Sequence, residues 1–422
     1  MSIHSVEEVT SVQNRWIRIG GTLLIGLFVA YLDRSNLSIG LSSMMSALGV
    51  TGARTAIVSS LALTAFSLGY AFANFFGGIF TYRANPKIVV ISVFVIWSIT
   101  TLLTGWVASI GLLVFYRIIL GVGEGVYWPQ QSRFANAWFH PDELTKANSV
   151  IQYYGEFISL ALGFAILTPI YNALGWRSLF FITGALGIIV IVPLFSKMLK
   201  AVPQEQEKEM AAVTRQKLTL QSLGGPRFLL IIFSYLANGM LFWGITLWLP
   251  LVVKSLGFHG MASGYASAFP YLLAVILAIP MAIISDRTGK RTVIAALGLI
   301  VAGILLVFLP ETTSDGVKLA LITIAMGYYA SSFTPNIWAI IQSTVDRTAI
   351  GPAAGIVNGI GAGIGGVLSG WIVGLLTSST GSYLPGFVVL GIISVLGGLS
   401  LIVYGRLASR HVATHKGTAL QH

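Results

Sequence analysis

The chain has 422 residues, is 55% hydrophobic and only 9% charged, with mean hydropathy +0.83, whereas an ordinary soluble domain carries about 25% charged residues. This composition describes a polytopic membrane protein and excludes a water-soluble enzyme fold. The net charge of +11 does not point to nucleic acid, because the basic residues do not cluster with exposed aromatics, and the absence of cysteine removes disulfides, thiol redox chemistry and thiolate metal sites. The six histidines (His4, His140, His259, His411, His415 and His422) fall in predicted loops or tails, so no metal and no cofactor is expected.

The N-terminus is polar as far as Gln13. Arg15 and Arg18 then lead into an apolar stretch too long, and too polar at its end, for a cleavable signal peptide, and it counts as the first helix. Runs of about 20 apolar residues, enough to cross about 30 Å of hydrocarbon, follow in order. The first six lie at 18–40, 55–80, 88–108, 110–132, 146–171 and 177–198. A second six lie at 227–252, 262–284, 292–310, 317–343, 350–377 and 384–405. The one long polar connection, 199–226, alternates charges (Glu205, Glu207, Lys208, Glu209, Arg215, Lys217) and ends at Gly224-Gly225-Pro226. The expected organisation is an N-terminal six-helix bundle (1–198), a linker (199–226), and a C-terminal six-helix bundle with a short tail (227–422). With the N-terminus in the cytoplasm, 19 Lys and Arg fall on the inner side and four outside (Arg54, Arg177, Lys254, Lys318), which sets both termini and the linker inside.

An internal repeat is only partly visible. Asp286-Arg287-Thr288-Gly289-Lys290-Arg291 follows the eighth span, whereas the matching place after the second reads Tyr82-Arg83-Ala84-Asn85-Pro86-Lys87, basic but without the acid and the glycine.

Only Asp33, Glu124 and Glu156 among the acids lie inside long apolar stretches, accompanied by Arg34 and Arg117. Each ionisable group at a bilayer centre costs roughly 2.5 to 3.5 kcal/mol, so five of them imply a polar cavity in the membrane, and such a cavity implies transport. Asp33 and Arg34 are adjacent and point about 100 degrees apart, so each must find a partner elsewhere. Arg117 and Glu124, seven residues apart, share a helix face about 10 Å apart along the axis and need not bond each other. Glu156 lies four residues after Gln152, on the same face, and is either a third cavity acid or a carboxyl facing the polar end of a neighbouring helix. The competing structural reading is of buried ion pairs that only orient helices. Proton carriage explains the acids better, because burial disfavours a carboxylate's charge while a neighbouring arginine favours it, leaving a balance that responds to whichever side is open.

Gly121-Val122-Gly123-Glu124-Gly125 superficially resembles a phosphate-binding loop but lies inside a span with no preceding strand. Close helix packing is the better reading there and in the Gly-rich stretch from Gly355 to Gly370. No nucleophile with a base and no metal-ligand cluster occurs in the spans, so the chain is not expected to be an enzyme.

Tyr31-Leu32-Asp33-Arg34-Ser35-Asn36, Leu68-Gly69-Tyr70, Tyr116-Arg117-Ile118-Ile119-Leu120-Gly121 with Glu124, Gln152, and Gly175-Trp176-Arg177 resemble the anion:cation symporter family of the major facilitator superfamily, which includes bacterial sugar-acid:proton symporters such as those for D-galactonate. The resemblance spans nearly the whole chain and is more specific in the first half. It implies an all-α fold of 12 transmembrane helices in two six-helix bundles. It also implies Asp33 and Glu124 as protonated carboxylates, Arg117 as the arginine tuning the acid on its own helix, and Arg34 as the substrate-carboxylate arginine. Tyr31, Tyr70 and Gln152 match first-half substrate contacts, and Trp338 and Asn358 second-half ones. Glu156 has no counterpart in that pattern. The expected function is proton-coupled import of a small carboxylate, a sugar acid such as a hexonate, hexuronate or aldarate, by a monomer in a bacterial inner membrane. The alternatives are an exporter or carrier of another carboxylate, such as tartrate or an aromatic acid, and a membrane receptor or scaffold.

Overall fold

The computed structural model describes residues 14–52, 54–81, 84–139, 143, 147, 149–202, 219–345 and 349–419. Residues 203–218 of the linker, Tyr82, Arg83 and His140 lie outside the described residues. The described residues form twelve long helices and no strand. They are α1 (Trp16–Ala47), α2 (Arg54–Thr81), α3 (Pro86–Thr104), α4 (Ile110–Trp138), α5 (Val150–Leu174) and α6 (Trp176–Met198). The second set is α7 (Phe228–Ser255), α8 (Met261–Thr288), α9 (Arg291–Val307), α10 (Asp315–Thr344), α11 (Ala353–Thr380) and α12 (Leu384–Ala419). Eleven are long and apolar enough to cross a membrane; α10 is long but carries Tyr328, Tyr329, Ser331, Ser332, Thr334 and Asn336 through its middle. Several run past the apolar windows of the sequence, because helix continues into flanking polar residues.

Local chemistry sets the helix ends. Ser109 caps α4 by accepting from the Leu112 amide, and Asn85 caps α3 ahead of Pro86 by accepting from the Lys87 amide. Gly289 ends α8 at φ 64°, a left-handed conformation that favours glycine. In the Asp286 to Arg291 turn, the two charges stand 3.5 Å apart. The matching turn of the first half lacks that acid and is held from α4 instead: Arg133 donates to the carbonyls of Thr81 and Ala84 at 3.3 and 3.2 Å, and Gln130 donates to the Thr81 hydroxyl.

Packing reveals the repeat that the turns only hint at. In the first bundle α2 packs on α4, α3 on α4 and α6, and α1 on α5 and α6; in the second, α8 packs on α10, α9 on α10 and α12, and α7 on α11 and α12. Advancing each label by six converts one list into the other. The bundles meet along α5 with α8, α2 with α11, and α1 with α7, again a set that the same exchange reproduces. The central helices are buried on every side, α1 from Val29 to Leu41 and α7 from Gly239 to Pro250. Outward faces carry exposed apolar side chains such as Ile88, Leu174, Ile189, Ile279 and Phe308, as a lipid-facing surface requires.

Four stretches wind as π-helix: Trp16–Gly21 in α1, Ser149–Tyr154 leading into α5, Gly187–Ile191 in α6 and Gly359–Ile364 in α11. Those of α5 and α11 fall in helices that correspond in the two halves.

The glycines of α4 work as packing residues. A methyl group on Gly121 would overlap the Phe66 carbonyl oxygen of α2, and one on Gly125 would stand 2.6 Å from the Ala73 Cβ. Gly121→Ala should therefore destabilise the protein by about 1–3 kcal/mol, seen as a lower Tm in detergent. Gly111→Ala, where nothing lies within 4 Å, should leave Tm unchanged. Equal Tm values for the two variants would contradict this α2 to α4 seating.

Candidate functional site

The five intramembrane charges occupy two compartments. Asp33 and Arg34 leave α1 in different directions, as their adjacency requires. Asp33 is 1% exposed and points towards α3 and α6. Its Oδ2 accepts from the Trp97 indole at 2.9 Å and the Thr101 hydroxyl at 3.4 Å; Asn36 reaches Oδ1 at 3.5 Å and donates to Thr183 at 3.0 Å. Its hydrogen-bond partners are uncharged groups.

Arg34 turns towards the interface between the bundles. Its Nε donates to Glu124 Oε2 at 2.7 Å, and Nη2 approaches the same oxygen at 2.6 Å. Both side chains are buried, 2% and 1% exposed. The second approach lacks hydrogen-bond geometry, so Nη1 and Nη2 of Arg34 and Oε1 of Glu124 remain without hydrogen-bond partners. Buried polar atoms of this kind mark a place where a partner belongs. Aromatic rings enclose the guanidinium: Tyr31 at 4.1 Å, Trp243 of α7 at 5.0 Å, Phe66 at 5.1 Å and Tyr70 at 5.5 Å. Such stacking suits arginine's weakly hydrated plane.

Arg117 lies over Phe66 at 5.1 Å, is 2% exposed, and stands within electrostatic reach of Glu124, Asp33 and Arg34. It makes no ion pair within 4 Å among the described residues. The acid on its own helix is paired by Arg34 instead.

Glu156 is partly exposed in α5, on the side of that helix that also carries Gln152. The Tyr31 phenol and the Arg34 guanidinium both act on its carboxyl. Gln152, also partly exposed, lies nearby in the π-helical stretch of α5.

On the opposite side, the Tyr235 hydroxyl of α7 donates to Asn358 Oδ1 at 3.0 Å, and its ring meets Trp338 edge-on at 5.8 Å. Asn358 and Trp338 are thus both neighbours of Tyr235, and both are partly exposed.

Sequence reasoning missed Trp97, Thr101, Thr183, Tyr235 and Trp243. The hydroxyl-rich run Trp97-Ser98-Ile99-Thr100-Thr101, with Trp97 and Thr101 one turn apart inside an otherwise apolar span, was the available signal for the first two. No comparable signal marks the others, which are isolated aromatic or hydroxyl residues among apolar neighbours.

A probable sulfoacetate transporter of Cupriavidus necator is 28% identical to this chain over 95% of it and 96% of that protein. A hexuronate transporter of Bacillus subtilis is 27% identical over 91% and 94%. The crystal structure of a D-xylose-proton symporter superimposes with TM-score 0.76, at 15% identity, over 91% of this chain and 97% of that one, which shows the fold. The Major Facilitator Superfamily profile matches residues 23–370. With its twelve helices and repeated packing, the chain belongs to the Major Facilitator Superfamily.

Proposed function

We propose that this chain is a proton-coupled secondary transporter that imports a small organic anion, a sugar acid such as a hexonate, hexuronate or aldarate, by alternating access. One observation carries the reading: Arg34 is held by Glu124 through a single carboxylate oxygen, and the rest of its guanidinium fork is buried without hydrogen-bond partners. A substrate carboxylate suits that fork, because guanidinium presents parallel N–H groups to a planar anion. It would compete with Glu124 for Arg34. Protonation of Glu124 then frees Arg34 for substrate, and substrate on Arg34 favours the proton on Glu124, so the two bind together by linkage.

Asp33 is the second proton carrier in this scheme, reached along the polar groups of α3 and α6. Arg117 biases both acids, and Glu156 adds a third carboxyl at the cavity wall. Tyr31, Tyr70, Gln152, Trp338 and Asn358 contact the polyol chain through hydroxyl, amide and ring surfaces. The matching seams of the two bundles support rocking of one half about the site. The relatives named for sulfoacetate and hexuronate support an anionic substrate and a role other than catalysis. The distribution of basic residues supports cytoplasmic termini in a bacterial inner membrane, and a protomer that holds every group in this scheme supports a monomer.

Proteoliposomes containing the protein should accumulate a sugar acid under an inward proton gradient and stop when an ionophore equilibrates protons. Accumulation that follows sodium and ignores the proton gradient would refute coupling. Arg34→Lys keeps the charge but loses the fork, so calorimetric affinity should fall about tenfold or more. Wild-type affinity in that variant would remove Arg34 from the substrate site.

Asp33→Asn and Glu124→Gln imitate the protonated forms permanently. Each should abolish proton-driven accumulation, and Glu124→Gln should retain substrate exchange between the two sides because Arg34 is then free. Full proton-driven uptake by either variant would overturn the coupling scheme.

A further inference from the structure

The groups around Asp33 all donate to it. At Oδ2 stand the Trp97 indole N–H, which has no acceptor capacity, at 2.9 Å and the Thr101 hydroxyl at 3.4 Å; at Oδ1 stands the amide nitrogen of Asn36, one turn further along α1, at 3.5 Å. An ionised carboxylate accepts from all three. A protonated one brings an O–H of its own, and that donor needs an acceptor in a pocket where Asp33 is 1% exposed and Asn36 is completely buried.

An acceptor stands ready beside it. The Asn36 carbonyl oxygen is buried and makes no hydrogen bond among the described residues. The Asn36 nitrogen lies 3.0 Å from Thr183 Oγ1, and Thr183 donates its own hydroxyl proton to the Leu179 carbonyl at 2.9 Å, so the threonine must accept and thereby fixes which way the amide points. Building on the reading of Asp33 as a proton carrier, we propose that Asn36 positions the Asp33 proton: its carboxamide offers an N–H to the charged carboxylate and turns over to accept from the acid once the proton has arrived.

No covalent bond within Asn36 or Thr183 changes in that step. The proton goes to Oδ1, because Oδ2 already receives the Trp97 N–H at the shorter distance. The amide rotates until its oxygen takes the Oδ1–H, and the Thr183 hydroxyl swings away from Leu179 to donate to the same oxygen. Asparagine suits both states because one planar group carries a donor and an acceptor; leucine has neither. Reversal of the bond between Asn36 and Thr183 carries the charge state of an α1 residue to α6.

The charged groups about Asp33 are few. Glu124 and Arg117 of α4 stand within its electrostatic reach, and Arg34 beside it in sequence is paired with Glu124. α3 and α6 carry no charge over 88–104 and 178–196, nor do α2 and α7 over 55–81 and 228–253. α5 brings Glu156, on whose carboxyl Tyr31 and Arg34 act. All of these groups are retained in the variants below that probe the hydrogen bonds.

The test is infrared difference spectroscopy of the protein in detergent across a pH series, which reads the carbonyl band of a protonated carboxyl. The Asp33 band is the one missing from Asp33→Asn. In Asn36→Leu its pH midpoint should fall by about half to one unit, because the acid loses a full hydrogen bond and the carboxylate only a long contact. Trp97→Phe removes a partner that serves the charged form, so the midpoint should rise by a similar amount. An unchanged midpoint in Asn36→Leu would leave Asn36 as a tie between α1 and α6 and overturn the proposal. A rise there would overturn it too, as would a fall in Thr101→Val larger than that in Asn36→Leu, which would give the acceptor role to Thr101. Should Asn36→Leu fail to fold, wild type containing isotope-labelled asparagine decides. One labelled amide band should shift through the Asp33 midpoint and stay fixed in Asp33→Asn, whereas labelled bands indifferent to that midpoint refute the assignment. Folded wild type without any carboxyl band that depends on Asp33 would instead bring down the reading of Asp33 as a proton carrier.

Discussion

An arginine and a glutamate facing each other in a space that excludes water govern this molecule. Separately, each would carry a large desolvation penalty; together they cancel, but only while the geometry holds. Everything around the Arg34 to Glu124 pair keeps that geometry available without making it permanent. Rings from α1, α2 and α7 stack around the guanidinium where hydrogen-bond acceptors would lock it, and Glu124 contributes one oxygen where it could have contributed two. A pair built solely for stability would be bidentate. This one is half made, and the unmade half is what a carboxylate ligand can take.

The fold is symmetric in its packing and asymmetric in its chemistry. Each contact between helices of the first bundle has a counterpart six helices later, yet all five intramembrane charges belong to α1, α4 and α5. The second bundle answers with tyrosines, tryptophans and amides. In the proposed scheme such a division lets one half hold the proton-carrying groups rigidly while the other changes its position against them. Trp243 is the point where the halves touch this chemistry directly, since it reaches from α7 to the face of Arg34.

How much of this could be read in advance depends on the kind of residue. Charges inside apolar spans announce themselves, so Asp33, Arg34, Arg117, Glu124 and Glu156 were all legible, as was the separation of Asp33 from Arg34 by helical geometry. Close packing of α4 on a neighbour was legible from glycine spacing, though not that the neighbour is α2. Their partners were not. Trp97, Thr101 and Thr183 are ordinary residues in a membrane span, and only the folding of α3 and α6 against α1 turns them into the bed of a carboxylate. The pairing of Glu124 with Arg34 likewise depends on the crossing of α1 and α4, which no spacing within one helix encodes. The repeat was nearly invisible because its one shared turn had replaced an acid with an arginine arriving from α4.

The π-helical stretches of α5 and α11 have a mechanical meaning. Both helices lie on the seams between bundles, α5 against α8 and α11 against α2, and their wide turns fall at Gln152 and directly after Asn358. A wide turn is where a helix kinks, because its backbone hydrogen bonds already depart from the regular ladder. In α11 the stretch is Gly-Ile-Gly-Ala-Gly-Ile, so little side-chain bulk resists a change of curvature. The residues proposed to contact substrate and the bending points therefore share the same few ångströms of helix. Curvature of the seams and shape of the pocket become one mechanical coordinate, and a ligand that tightens the pocket bends the walls by the same movement.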